Sequence, residues 1–162
     1  KLPESFYYMT CHREENAGND EVLNEILTAM ESLDEVCIYL VHPRNRDRVN
    51  RLIEEKKYKN IIACNPVGYM MSVYLVNHSK KIITDSGGLQ REAFFAQKQC
   101  VTIFDYVVWP ETMIDNRNQL AKPCKEDILL KLASEQKISV NNAFGDGKSA
   151  IKIVKYINEV LF

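Results

Sequence analysis

Three short stretches of this chain carry residue types suited to holding an anion. Thr84-Asp85-Ser86-Gly87-Gly88 follows the apolar pair Ile82-Ile83 and precedes Leu89-Gln90-Arg91-Glu92, which has helical character. A strand feeding a glycine-bearing turn that opens a helix leaves backbone N–H groups unpaired. It also aims the positive end of the helix dipole at the turn. A phosphate or pyrophosphate is the usual occupant of such a place. Gly87 and Gly88 let an anion approach the backbone, and Ser86 sets a hydroxyl beside them. The same residues also suit a serine-capped helix after a buried strand. In Thr10-Cys11-His12-Arg13-Glu14-Glu15-Asn16, His12 can donate to a phosphate or exchange a proton near neutral pH. Arg13 offers a bidentate fork. The third stretch is His42-Pro43-Arg44, for which a stiff turn leading into a helix is an equally adequate account.

These stretches need elements to position them, and the hydrophobic pattern supplies them. Phe6–Thr10, Val36–Val41, Ile61–Cys64, Lys80–Thr84 and Cys100–Ile103 read as five strands, apolar on both faces. Between them, Val22, Ile26, Leu27, Met30 and Leu33 recur at helical spacing. Helices are also expected over 45–58, 70–76, 89–96, 126–132 and 148–162, the last after the breaker segment Asn141 to Gly147. Doubly apolar strands alternating with helices predict an α/β fold with a doubly wound, mainly parallel, Rossmann-like sheet. Ligands in such folds bind outside the carboxyl ends of the strands. His12-Arg13, His42 to Arg44, Ser86 to Gly88 and the loop 104–118 all follow strand ends. Four loops on one rim can converge on one crevice.

Composition narrows the classes. A chain of 162 residues with 46% hydrophobic and 27% charged residues suits one globular domain over 1–162. A net charge of -1 gives no electrostatic footprint for nucleic acid. The row Arg44, Arg46, Arg48 and Arg51 reads as a solvated helix face. No apolar run approaches the roughly 20 residues needed to cross a bilayer, so no membrane partner is expected. No signal peptide is visible, although the chain begins at Lys1 rather than Met. Cys11, Cys37, Cys64, Cys100 and Cys124 are widely spaced and form no CxxC pair. A reduced cytoplasmic protein without structural zinc, metal site or cofactor is the expectation.

The order HRxEN, HPR, TDSGGxQxE, a PET segment and GDG before a last helix resembles the non-hydrolysing UDP-N-acetylglucosamine 2-epimerases over essentially the whole chain. The resemblance implies a two-domain glycosyltransferase-B-like architecture of which this chain is the C-terminal, UDP-binding half, its N-terminal partner domain lying outside the chain. It implies that His12 lies beside the pyrophosphate or sugar as a catalytic group, with Arg13 and His42 on the same rim. Ser86, Gly87 and Gly88 would bind the diphosphate, Glu92 the ribose hydroxyls, and the stretch Val67 to Ser72 the uracil side, largely by backbone. The expected partners are UDP and a UDP-N-acetylhexosamine, the N-terminal domain, and a second copy in a homodimer. The reaction implied is interconversion of UDP-N-acetylglucosamine and UDP-N-acetylmannosamine by C2 deprotonation with anti elimination and re-addition of UDP. The acid and base carboxylates come largely from the other half, so this chain alone is expected to be inactive. A hydrolysing epimerase, an epimerase of another UDP-sugar, and a sugar-nucleotide-binding module without catalysis remain alternatives. The chain departs from the commoner pattern where Phe104 replaces an Arg and Val108-Trp109 replace Glu-Arg.

Overall fold

The computed structural model describes residues 2–137 and 143–161. Its centre is a six-stranded, wholly parallel sheet. The strands are β1 (Tyr7–Cys11), β2 (Cys37–Val41), β3 (Ile61–Cys64), β4 (Ile82–Thr84), β5 (Cys100–Ile103) and β6 (Asn118–Ala121). They lie in the order β3-β2-β1-β4-β5-β6. The chain therefore runs outward from β1 to β3, crosses back over the sheet, and runs outward again from β4 to β6. The strand order reverses between β1 and β4, whose neighbours pair Tyr8 with Ile82 and Thr10 with Thr84.

Helices cover both faces, as side-chain alternation requires of doubly apolar strands. On one face Tyr7, Met9, Cys37, Tyr39, Ile83 and Val101 are buried under α2 (Asp20–Glu31), α3 (Arg46–Lys56) and α6 (Lys125–Ala133). On the other face Phe6, Tyr8, Ile38, Ile82 and Cys100 pack against α4 (Tyr69–His78) and α5 (Gly87–Phe95). Local chemistry sets the helix ends. The Asn19 side chain caps α2 by accepting from the N–H groups of Glu21 and Val22. The α3 helix closes on Lys57, which takes the left-handed conformation at φ 57°.

Four local features depart from the sequence reading or were absent from it. β6 was not anticipated: it is an edge strand beginning Asn-Gln, so it has no apolar run to reveal it. It is instead held to β5 by its ladder, and the Asn118 side-chain oxygen accepts from the Thr102 hydroxyl at 2.5 Å. The polar stretch after β1 contains a short helix, α1 (Glu14–Ala17). The arginine row is only partly solvated. Arg48 and Arg51 both engage Asp20 of α2, and Arg48 also donates to the Ala17 carbonyl. The last helix, α7 (Ser149–Leu161), does not pack on the sheet, since Ile151, Val154 and Ile157 are all exposed. Of the expected breaker segment, Asn141 and Asn142 lie outside the described residues, as does Phe162 of the expected last helix. Among the described residues no helix is long and apolar enough to cross a membrane.

Candidate functional site

The site lies at the carboxyl ends of β1 and β4, where the strand order reverses and the flanking loops splay apart. A cavity of about 320 Å³ opens there, within the usual size range for small-molecule sites. Its floor is the outward continuation of one face of β1. Tyr8, Thr10 and then His12 alternate onto it, with Leu40 beside them. His42 and Val67 come from the loops after β2 and β3, and Ser72 from the first turns of α4. Ser86, Gly88 and Glu92 line the opposite wall, from the start and second turn of α5.

The start of α5 has the form of an anion cradle. Ser86 is the N-cap, its hydroxyl accepting from the Leu89 N–H at 3.4 Å. The N–H groups of Gly87 and Gly88 find no acceptor among the described residues. The cradle is braced from below: the Thr84 hydroxyl accepts from the Ser86 N–H at 3.0 Å and pairs with the Thr10 hydroxyl at 2.7 Å across the β1–β4 step.

The electrostatics centre on Asp85, which is 0% exposed. Its carboxylate accepts from the backbone N–H of His12 (2.9 Å) and of Arg13 (2.8 Å), and from Asn16 Nδ2 (3.3 Å). His12 Nδ1 stands 3.0 Å from its other oxygen. Burial pushes the Asp85 carboxyl up, but the His12 hydrogen bond and the Arg13 N–H reverse this and hold it below the ordinary carboxylate value. The reciprocal hydrogen bond raises the His12 imidazole above its ordinary value against burial and against the charges of Arg13 and Arg44. The His42 ring lies nearby, with centroids 6.3 Å apart, and its Nδ1 accepts from the Arg44 N–H. Glu92 is raised by burial, opposed by Arg91. The Tyr8 hydroxyl, also raised by burial, shares a hydrogen bond with Ser72 at 3.1 Å.

The cavity thus gathers His12, His42, Val67, Ser72, Ser86, Gly88 and Glu92. Arg13 and Gly87 are not among its lining. The Arg13 guanidinium lies over the Phe104 ring at 4.2 Å and donates to the Asp85 carbonyl and the Tyr106 hydroxyl. A Cβ on Gly87 would stand 3.1 Å from Trp109 Nε1. Gly87 therefore has a packing reason to be glycine. Trp109 itself is a half-buried loop aromatic, pressed between Gly87, Arg91 and Phe144. Sequence reading left Tyr8, Thr10 and Asp85 without roles. Period-two alternation from His12 back through Thr10 to Tyr8 is the signal that places them on one face.

Among the described residues no group of three His, Cys, Asp or Glu side chains could hold a metal ion. Among the described residues the cavity offers instead N–H donors, two imidazoles, paired hydroxyls and one carboxylate. That set suits an anionic group joined to a polyol.

The chain resembles known proteins over nearly its whole length. The model of the family described as UDP-N-acetylglucosamine 2-epimerase matches residues 1–158. A Methanococcus maripaludis protein named UDP-N-acetylglucosamine 2-epimerase homolog is 39% identical, over 97% of this chain and 45% of its own length. A Pseudomonas aeruginosa UDP-2,3-diacetamido-2,3-dideoxy-D-glucuronate 2-epimerase is 30% identical, over 95% of this chain and 44% of its own length. The crystal structure of the Methanocaldococcus jannaschii UDP-GlcNAc 2-epimerase in complex with UDP-GlcNAc and UDP superposes with a TM-score of 0.82 at 32% identity. That match covers 96% of this chain and 46% of the other. The chain spans a little under half the length of the curated relatives it matches.

Proposed function

This chain belongs to the UDP-N-acetylglucosamine 2-epimerase family, and on that footing we propose that its rim cavity is the UDP-binding half of an epimerase site. The observation that carries the reading is the convergence of Ser86, Gly88, His12 and Glu92 on one cavity at the strand-order reversal. The free N–H groups of Gly87 and Gly88, with the α5 dipole behind them, take the diphosphate. Glu92 lies one helical turn beyond Gly88, so its carboxylate reaches past the phosphates and accepts from the ribose diol. The loop at Val67 and the first turn of α4 at Ser72 take the uracil side.

In the reaction we assign to the whole protein, a base removes the C2 proton of the sugar as the C1–O bond breaks on the opposite face and UDP departs. Re-addition of UDP to C1, with a proton returned to the other face of C2, gives the 2-epimer. The role of this half is to stabilise charge as it develops on the departing diphosphate, where preoriented N–H donors and the His12 imidazole act most strongly. A C–H proton beside an acetamido carbon is weakly acidic and needs a positioned base. Glu92, the one carboxylate lining the cavity among the described residues, is committed to the ribose. We therefore assign the base to an N-terminal partner domain that closes over this rim, and expect the 162-residue chain alone to bind UDP without epimerising its sugar.

Calorimetric titration with UDP tests the reading. Binding that is weakened at least about tenfold, roughly the loss of one charge-assisted hydrogen bond, in Ser86→Ala with Glu92→Ala supports it. Absence of binding, or indifference to the double variant, overturns it. The Pseudomonas relative favours a second reading, an epimerase of another UDP-linked acetamido sugar. Both readings share the nucleotide half, and product analysis on the whole protein separates them.

A further inference from the structure

Asp85 is a fully buried carboxylate immediately beside a cradle that the preceding reading gives to an anion. Two negative charges so placed repel each other unless donors intervene. Here donors surround it. Its two oxygens accept from the His12 N–H, the Arg13 N–H and Asn16 Nδ2, and one of them faces His12 Nδ1. Three of these donors converge on one oxygen and His12 Nδ1 faces the other, where an ionised carboxylate can only accept. The ring nitrogen facing Asp85 is thereby fixed as Nδ1–H. The opposite corner of the ring, Nε2, has no partner among the described residues, and the ring lines the cavity.

We propose that Asp85 is the positioning residue of this site, accepting Nδ1–H from a doubly protonated His12 ring so that Nε2–H is presented to the diphosphate, and fastening the His12–Arg13 backbone to the start of α5. The proposal rests on the reading of the cavity as a UDP site. A neutral ring held by Nδ1–H would present the Nε2 lone pair to phosphate oxygens, so donation needs the second ring proton, which the facing carboxylate favours. One carboxylate thus performs two tasks: it orients the donor, and it ties the loop after β1 to the loop after β4. Asn in its place keeps the size but not the function. Its oxygen is drawn to the backbone N–H groups of His12 and Arg13, and its NH2 then faces Nδ1, which opposes the Nδ1 proton and so the doubly protonated ring.

Three measurements on the 162-residue chain test this. Nitrogen-15 NMR of the His12 ring, above its titration, is expected to show Nδ1–H in the parent chain and Nε2–H in Asp85→Asn. At a pH where the parent ring carries both protons, UDP affinity is expected to fall at least tenfold in Asp85→Asn. In a His12→Ala background the same substitution is expected to cost threefold or less, because the ring it positions is gone. An equal loss in both backgrounds makes Asp85 a structural cap and overturns the proposal, as does a bare Nδ1 in the neutral ring of the parent chain. If Asp85→Asn does not fold, the parent ring spectrum decides. If the parent chain takes no UDP, the nucleotide reading fails, while the ring spectrum still decides for Asp85.

Discussion

The Arg13 guanidinium stacks 4.2 Å from the centre of the Phe104 ring, so the permanent cation of the first loop is turned toward the loop after β5 and away from the cavity. Tyr106 adds its hydroxyl as acceptor at 2.8 Å and stacks on Phe104 in turn. Phe104 and Tyr106 thus form an aromatic shelf that holds the neighbouring arginine. Arg13→Ala is expected to change UDP affinity less than about threefold, since a cation that makes no ligand contact acts only through a screened field. Phe104→Leu, which keeps an apolar side chain of similar bulk, is expected to lower stability by about 1 kcal/mol through the lost cation–π contact. Titration calorimetry and urea unfolding read the two effects separately. A tenfold loss of affinity in Arg13→Ala would return the guanidinium to the ligand.

Adjacent glycines are expected to respond oppositely to a methyl group. At Gly88 the nearest atom to an added Cβ is Ser86 Oγ at 3.6 Å, an ordinary contact, on the cavity side of the helix. Gly88→Ala should leave unfolding free energy unchanged or raise it by up to about 1 kcal/mol, the helix preference of Ala over Gly. The same methyl group sits where the anion approaches, and UDP affinity should drop about tenfold or more through the lost backbone approach. At Gly87 the added Cβ meets Trp109 Nε1 at 3.1 Å, and Trp109 is held by Arg91 and Phe144. Gly87→Ala should therefore cost about 1–3 kcal/mol of stability by overpacking. Urea unfolding paired with UDP titration checks both variants.

The contrast between those glycines shows what was legible in the sequence. Both belong to one motif, which the structure sets on the rim between β1 and β4. Which of the two faces the ligand depends on Trp109, more than twenty residues away, and no local pattern carries that. β1, β2, β4 and β5 were visible because both of their faces are buried, and β3, an edge strand with Ile62 and Ala63 exposed, because its residues are apolar all the same. β6 was not, because an edge strand beginning Asn118-Gln119 is held by its ladder rather than by apolar side chains. Asp85 was visible as a residue but not as a hub. Its donors come from His12, Arg13 and Asn16, and only the β1–β4 pairing brings them together. The arginine row on α3 misled because Asp20, which pairs with two of its members, lies on another helix.

The Asp85–His12 pair should shape stability against pH at both ends. His12 is raised above 6.5 in the folded chain, chiefly by its hydrogen bond to Asp85. Its contribution is fully present below about 6.5, the ordinary imidazole value, and is lost as pH rises through the raised value. Asp85 is lowered below 3.8, with burial outweighed by the donors around it. Its contribution is present above about 3.8 and is lost as pH falls through the lowered value. The pair should therefore stabilise most between these limits. Urea unfolding at pH 5.5 is expected to give greater stability than at pH 8.5, and His12→Gln should shrink that difference. An unchanged difference in the variant would assign it to other groups.

The α7 helix gives the last prediction. Ile151, Ile153, Val154, Tyr156, Ile157 and Val160 are between 42% and 69% exposed, so the helix contributes no buried apolar area to this sheet. A 13-residue helix has little stability of its own, and most helices in proteins draw theirs from a packed face. The link to the rest of the chain is upstream, where Phe144 meets Phe94 at 5.3 Å and Phe95 at 5.1 Å. A chain ending at Lys148 should unfold within about 0.5 kcal/mol of the full chain, as surface changes do. It should also self-associate less, having lost a contiguous apolar stripe. Phe144→Leu in the full chain should cost about 1 kcal/mol through its aromatic contacts. Urea unfolding and sedimentation of the three chains decide the matter: a loss of several kcal/mol on truncation would mean that α7 packs on the domain in solution.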